Sequence, residues 1–382
     1  MFHDLHRQMM LFFVMPFGLT LALLPIIIKL ALRWRCIDEP GGRRVHEEPT
    51  PRWGGLAFFL GVLPLFFVVG LGRAFFSYLA ASFLLVVVGS VDDRRELGFA
   101  AKFFAMLAAI TTVVFGGGIV IQQIGTYGSI GTVKMGMLAI PFTYLCIIGV
   151  TNAINLIDGL NGLAGGVAFI ASLFIGVAAY LSRNFVLAGV CMGFTGALAG
   201  FLLYNFGARA SIFMGDAGSL FLGFSLSVFA ILLTQDPSFK VEPLFPVLVL
   251  LIPIFDTVRV MGTRILNGRN PFRADTTHLH HLLLARGFSV TGITTMLWSL
   301  TLVLGITAVL LIKRTSMPYL MVVLGSSLLF SIFANALVKE RARVESMGRK
   351  PLTPSPEETA FAETEPVQRL RLIRKSAHHA RS

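Results

Sequence analysis

Charge is what this sequence has least of. Of 382 residues only 14% are Asp, Glu, Lys or Arg, against about a quarter in a soluble globular chain. Together with 55% hydrophobic residues and a mean hydropathy of +0.77, that scarcity excludes an ordinary soluble enzyme. It also excludes disorder over most of the length. Acids are the scarcer sign, 20 against 32 Lys and Arg, for a formal net charge of +12. Cysteine is nearly absent. Cys36, Cys146 and Cys191 are far apart and odd in number, so neither a disulfide framework nor a Cys-based metal site is indicated. A Gly-x-x-x-x-Gly-Lys loop and a Gly-x-Gly-x-x-Gly fingerprint are missing too, which leaves a P-loop NTPase or a Rossmann cofactor unsupported.

What the chain has instead is a succession of apolar runs of about 20 residues. They fall at 9–32, 54–71, 74–91, 99–118, 136–154, 162–182, 185–204, 219–234, 243–262, 291–312 and 317–338. The expected fold class is therefore an all-α polytopic integral membrane protein with about 11 transmembrane helices. Basic residues, among them Arg33, Arg35, Arg43, Arg44, Arg52, Arg94, Arg95, Lys102, Arg264, Arg269 and Arg273, collect in one set of loops. The positive-inside bias makes those loops cytoplasmic, with the N-terminus outside and the C-terminus inside. It explains the basic balance by a membrane rather than a nucleic acid, which is not expected as a partner. Residues 119–135 alternate and are punctuated by Gly, the pattern of a small external hairpin. Residues 1–338 form the membrane-embedded domain. Residues 339–382, rich in Pro, Glu, Arg and Ser, are expected to be a disordered basic cytoplasmic tail or a short surface helix.

Acids at a membrane boundary are expensive to place and so mark function. Asp92 and Asp93 end the third span. Adjacent residues on a helix point about 100° apart, so the pair does not chelate one ion together. One can reach a cation while the other orients or deprotonates a second group; a solvated helix end balanced by Arg94 and Arg95 is the alternative. Asn152, Asn155, Asp158 and Asn161 recur at a spacing of three, which keeps neighbouring members on one helix face. Gly159 and Gly162 allow close approach of backbone to ligand; a loop with Asn and Asp as turn formers competes with that reading. Asp216 and Ser219 precede the eighth span, as caps or as a carboxylate beside phosphate-binding N–H groups, with Asn205 in the same layer. The loop 263–290 gathers Arg264, Arg269, Arg273, Asp275, His278, His280, His281 and Arg286. Its histidine spacing fits no standard zinc site and suits an anion, or else it is an ordinary basic loop. Asp256 and Arg259 read as a supporting pair first and a ligand second.

Carboxylates without Cys or a Glu-x-x-His pattern suit a hard cation, Mg²⁺ or Mn²⁺. Such a cation beside Arg and His suits a diphosphate, and phosphoryl transfer needs little beyond charge neutralisation, positioning and a base. A cation-coupled transporter is the alternative of a different class, but its acids belong near the bilayer midplane, not at one boundary.

Several motifs in order resemble one family. They are Asp38-Glu39-Pro40 through Gly54-Gly55, Asp92-Asp93, Asn152…Asn155…Asp158-Gly159…Gly162-Leu163, Gly215-Asp216…Gly218-Ser219-Leu220, and His278…His280-His281. Over residues 10–340 the chain is similar to the polyprenyl-phosphate N-acetylhexosamine-1-phosphate transferases, which include the phospho-N-acetylmuramoyl-pentapeptide transferases. The resemblance implies that undecaprenyl phosphate attacks the β-phosphorus of a UDP-N-acetyl sugar at the cytoplasmic face of a bacterial inner membrane. UMP leaves, Mg²⁺ is required, and the product initiates a cell-surface polysaccharide. By this likeness Asp92 is the candidate base, assisted by Asp93, with Asp158 a third catalytic candidate. Asp216 and Asp92 are the metal candidates. Asn152, Asn155, Asn161, Asn205, Arg273, His278, His280 and His281 are the substrate-binding candidates. The His-x-His-His form and the span count look most like the UDP-GlcNAc branch. Asn161 departs from the aspartate common at that place, which leaves its role and the exact sugar open. The oligomeric state is open as well, a dimer being one option.

Overall fold

The computed structural model describes residues 2–39, 49–70, 72–207, 209–236, 238, 240–268, 270 and 277–346. The chain is a helical bundle with two small two-stranded sheets. Helix α1 (Phe2–Arg33) leads to strands β1 (Ile37–Asp38) and β2 (Thr50–Pro51), which pair antiparallel. Then follow α2 (Gly54–Val69), α3 (Arg73–Arg95) and α4 (Phe99–Thr111), the last continued by one π turn at Thr112–Gly116. The hairpin β3 (Gln123–Tyr127) and β4 (Gly131–Lys134) precedes α5 (Ala139–Ile157), α6 (Leu163–Leu181), α7 (Phe185–Asn205) and α8 (Gly215–Thr234). The order closes with α9 (Leu244–Val249), α10 (Leu251–Leu266), the short α11 (Leu279–Leu284), α12 (Val290–Leu310) and α13 (Ser316–Ser346).

Nine of the described helices are long and apolar enough to cross a membrane, which makes this an all-α polytopic membrane protein. Two of the runs read from the sequence differ. Helix α2 has only 16 residues, and the run 243–262 is broken at Leu250 into α9 and α10. Pro253 accounts for the break: it has no N–H for the carbonyl of Val249, and its ring crowds that carbonyl. Helix α13 runs eight residues past the expected end at 338. Residues 347–382 of the expected tail, and Arg273 and Asp275 of the basic loop, lie outside the described residues.

Helix α8 is the axis of the bundle. Its apolar window is 89% buried, against 11% for α13 at the periphery. Helices α3, α5 and α2 pack on α8, and two glycines set how closely. A Cβ on Gly89 of α3 would come 2.5 Å from Ala217 Cα, and one on Gly55 of α2 would overlap the backbone of Gly218. Helix α7 meets α1 along a seam of Gly189, Gly193, Gly196 and Gly200, whose facing atoms include Phe12, Phe13 and Phe17. Small residues let helix backbones approach where burial in lipid supplies no driving force of its own.

The two ends of the bundle differ in chemistry. At one end the β3–β4 hairpin, expected within 119–135, is clasped by side chains. Gln235, just beyond α8, accepts the N–H groups of Gln122 and Gln123 at 2.8 and 3.1 Å. Glu242 and Ser316 both accept from the N–H of Thr126 at 3.2 Å. At the other end the loop before α2 lies along the loop before α8. Phe213 N–H donates to Pro51 O at 2.8 Å, and Gly54 and Gly55 N–H donate to Phe213 O and Met214 O at 2.9 Å each. Arg52, held there, forms an ion pair with Asp38.

Candidate active site

That second end collects the carboxylates. Asp92 and Asp93 lie in the last turn of α3, each 6% exposed, and point different ways as helix geometry requires. Asp93 faces α8: its Oδ1 accepts the N–H of Asp216 at 2.8 Å and its Oδ2 that of Ala217 at 3.2 Å. The first N–H groups of a helix have no partner within it, and no side chain of its own cap residue serves α8. Asp93 supplies that cap from 123 residues away. Gly215, with φ 72°, makes the turn possible; a Cβ there would also run into the Asp93 carboxylate.

Asp92 faces the other way, towards α4. Lys102, in the first turn of α4, donates to Asp92 Oδ2 at 3.0 Å and to Asp216 Oδ2 at 2.8 Å. Asp92 Oδ1 is buried and has no hydrogen-bond partner among the described residues. Asp216 is completed by Asn155 of α5, whose Nδ2 donates to Asp216 Oδ1 at 2.9 Å and to Ser219 Oγ at 2.8 Å. One lysine, one amide and one helix turn thus bring α3, α4, α5 and α8 to a common point.

Asp158 closes α5 beside this point. Burial, and then the nearby carboxylates of Asp216 and Asp93, push its carboxyl well above the usual range. Asn152, one turn before Asn155, is half-buried. Asn205 is buried, with both polar atoms held by backbone: Oδ1 accepts Gly162 N–H at 2.9 Å and Nδ2 donates to Ile212 O at 2.8 Å. Asn161 Nδ2 donates to Gly207 O at 3.1 Å, while the backbone carbonyl of Asn161 accepts from Thr294 Oγ1 at 3.2 Å. These two asparagines frame the loop between α5 and α6 against the loop after α7.

The histidines are fixed from α10. Asp256 accepts from His278 Nδ1 at 2.8 Å, from Leu279 N–H at 3.0 Å and from Arg259 Nη2 at 2.8 Å. Arg259 also donates to Thr277 O at 2.5 Å. Asp256 therefore holds the start of α11 as well as pairing with Arg259. His280 is 2% exposed, and its ring lies 4.2 Å from that of His281. Its Nε2 has no partner among the described residues and abuts Gly159, where a Cβ would come within 2.7 Å. Burial and the neighbouring His281 and His278 hold the His280 imidazole well below its ordinary value of 6.5, so it is neutral.

Among the described residues no three His, Cys, Asp or Glu side chains form a ready-made metal cage. Magnesium does not require one: it is commonly held by one or two carboxylates plus substrate phosphates and water. The residues fit that pattern. Asp92 and Asp216 converge on a cation, here the ammonium of Lys102, and one Asp92 oxygen is left over.

Lys102 is the main site residue that the sequence reading left among the basic loop residues. Its signal was a lone charge one turn into an apolar run, which is a functional flag in itself. Ser219, read as a cap, instead supports Asn155.

Buried carboxylates gathered at one end of a polytopic helical bundle define a class, the membrane-embedded enzymes. Comparison with known proteins narrows it. The family model described as "Glycosyl transferase family 4" matches residues 75–234, the stretch from α3 to α8 that contains Asp92, Asp93, Asn155, Asp158 and Asp216. A Bacillus subtilis (strain 168) protein named probable undecaprenyl-phosphate N-acetylglucosaminyl 1-phosphate transferase is 32% identical over 305 residues, which cover 79% of this chain and 85% of that one. Proteins named undecaprenyl-phosphate alpha-N-acetylglucosaminyl 1-phosphate transferase are 28% identical in Yersinia pestis, over 72% of this chain and 76% of theirs. In Escherichia coli (strain K12) the identity is also 28%, over 68% of this chain and 72% of theirs. The chain belongs to the polyprenyl-phosphate N-acetylhexosamine-1-phosphate transferase family.

Proposed function

We propose that this enzyme transfers GlcNAc-1-phosphate from UDP-GlcNAc to undecaprenyl phosphate, releasing UMP. The diphospho-linked lipid sugar so formed initiates a cell-surface polysaccharide. The work is done at the cytoplasmic face of a bacterial inner membrane, by a domain of residues 1–338 that crosses it eleven times, with residues 339–382 as a cytoplasmic tail. The names of the relatives support the reaction. The observation on this chain that carries it is Asp92, a buried carboxylate with one oxygen on Lys102 and the other without a partner among the described residues.

The chemistry follows from balance of atoms. An oxygen of the lipid phosphate forms a bond to the β-phosphorus of the donor. The bond from that phosphorus to the oxygen bridging the two phosphates breaks, and UMP departs with the bridging oxygen. Asp92 Oδ1 is the acceptor for the proton of the lipid phosphate, or orients that phosphate when it is already ionised. Asp93 acts through Asp216: it fixes the turn that aims Asp216 into the site, and Asn155 locks the Asp216 carboxylate from the other side. Asp216 and Asp92 would hold Mg²⁺, or Mn²⁺ in its place, which supplies charge neutralisation for the diphosphate. Asn152, Asp158 and the loop of His278, His280 and His281 face the nucleotide-sugar, with Arg273 a further contact to its phosphates. Asn161 and Asn205 shape the pocket by holding its backbone.

The test is a donor panel. Purified enzyme in lipid nanodiscs receives undecaprenyl phosphate, Mg²⁺ and radiolabelled UDP-GlcNAc, UDP-GalNAc or a deoxy analogue. Labelled lipid from UDP-GlcNAc alone, lost in D216N, is the expected result. Labelled lipid from another donor instead replaces the sugar assignment, and absence of product from every donor overturns the reading.

A further inference from the structure

The ammonium of Lys102 stands where the two metal-candidate carboxylates meet. Their four oxygens are not equally available. Asp216 Oδ1 is taken by the Asn155 amide, and Oδ2 of Asp216 and of Asp92 are both taken by Lys102. Of the four, only Asp92 Oδ1 has no hydrogen-bond partner among the described residues. The ammonium bridges the two Oδ2 atoms, the place where a cation held jointly by Asp92 and Asp216 would compete with it. Lys102 also has somewhere to go: its side chain is 28% exposed and sits at the first turn of α4, whereas Asp92 is buried and Asp93 is pinned to the α8 backbone.

We infer that Lys102 is a built-in counter-ion which a divalent cation must displace to be held by Asp92 and Asp216. The inference rests on the reading above that Asp92 and Asp216 hold the metal. Without a cation, the lysine keeps two neighbouring carboxylates from repelling each other and preserves the α3–α4–α8 geometry. Once a divalent cation takes the shared oxygens, like charges a few ångströms apart repel in a half-buried site, and the ammonium leaves towards solvent. Lys102 thus competes with the metal, which neither a purely structural nor a purely substrate-binding lysine does.

Direct metal binding separates these roles without relying on turnover. Detergent-purified full-length protein, stripped with chelator, is titrated with Mn²⁺ while the signal of the free aquo ion is followed by electron paramagnetic resonance. K102M keeps the length of the stem and removes the charge; it is expected to bind Mn²⁺ at least about tenfold more tightly than wild type, whereas K102R, still charged, does not. Unchanged or weaker binding by K102M overturns the inference. D216N serves as the control for the underlying reading. If D216N keeps wild-type Mn²⁺ affinity, the metal assignment has failed; if D216N loses it and K102M shows no gain, only the role of Lys102 has failed. A second measurement needs no variant. Acylation of Lys102 by a small amine-directed reagent, read by mass spectrometry, is expected to accelerate when Mg²⁺ is added to wild-type protein. Equal labelling with and without Mg²⁺ also overturns the displacement.

Discussion

The carboxylate of Asp93 caps the helix that begins with Gly215-Asp216, accepting the N–H of Asp216 at 2.8 Å and of Ala217 at 3.2 Å. One aspartate of the adjacent pair thus places the carboxylate with which the other shares a lysine. Substituting Asp93 therefore damages the site through its geometry. D93N retains one acceptor oxygen but loses the charge that complements the helix N-terminus. It is expected to cost about 1 kcal/mol of stability and to lower UMP release about a hundredfold, as a misplaced catalytic group does. Thermal midpoint and turnover measured on the same preparation check this. A variant without activity but with an unchanged midpoint would make Asp93 a reacting group instead.

Asn205 separates framing from substrate contact in the same manner. Its amide is the partner of both Gly162 N–H and Ile212 O, so N205A leaves two buried backbone groups unpaired. The expected loss is about 2 kcal/mol of stability, with the donor KM rising because the Gly162 loop loosens. An unchanged midpoint with a raised KM would return Asn205 to the direct contact expected from sequence.

These two residues also show what the sequence could and could not convey. The apolar runs were legible because about 20 lipid-facing or core residues leave a compositional signal, and the acids stood out because so few exist. Partnership across the chain was not legible. Asp93 and Asp216 are 123 residues apart, and Lys102 and Asp216 are 114 apart. Only the packing of α3 and α4 around α8 shows that one aspartate is a cap and the lysine a bridge. The backbone bonds of Asn205 were hidden for the converse reason: a polar residue at a span end carries no mark of whether backbone or substrate will claim it. The break at Leu250 was hidden because Pro253 interrupts hydrogen bonding without interrupting hydrophobicity.

His280 sets an acid limit on stability. Its folded value lies well below 6.5 through burial and the neighbouring His281 and His278. As pH falls through the unfolded value, the unfolded chain takes up a proton that the folded chain refuses, so folding is progressively disfavoured. The contribution is fully retained above that value. H280Q removes the titrating group, and its thermal midpoint is expected to fall less than that of wild type between pH 7.5 and pH 5.5. Equal falls in the two proteins would show that His280 takes no part in the acid limit.

Orientation rests on two segments that are the least obvious crossings, α2 and the α9–α10 pair. Sixteen helical residues in α2 span about 24 Å, short of the roughly 30 Å hydrocarbon core. The bonding nevertheless fixes its direction. Its first residues are bonded to Phe213 and Met214 at the carboxylate end, and its last lead into α3, which returns to that same end with Asp93 on Asp216. Helix α2 must therefore run away from the site and α3 back to it. The α9–α10 pair is fixed likewise. It starts just after Glu242, which holds Thr126 of the hairpin, and leads to the loop of His280, which abuts Gly159 beside the site. Both segments connect opposite ends of the bundle; with both of them crossing, an odd number of passages and termini on opposite sides are expected. A reporter fused after Ser382 is expected to respond as cytoplasmic, and one inserted at Gly128 in the hairpin as external. Signals from the same side would mean that the α9–α10 pair fails to cross, because it lies between the two reporters whereas α2 precedes both. The reverse assignment of the two signals would put the carboxylates on the side where no nucleotide-sugar arrives.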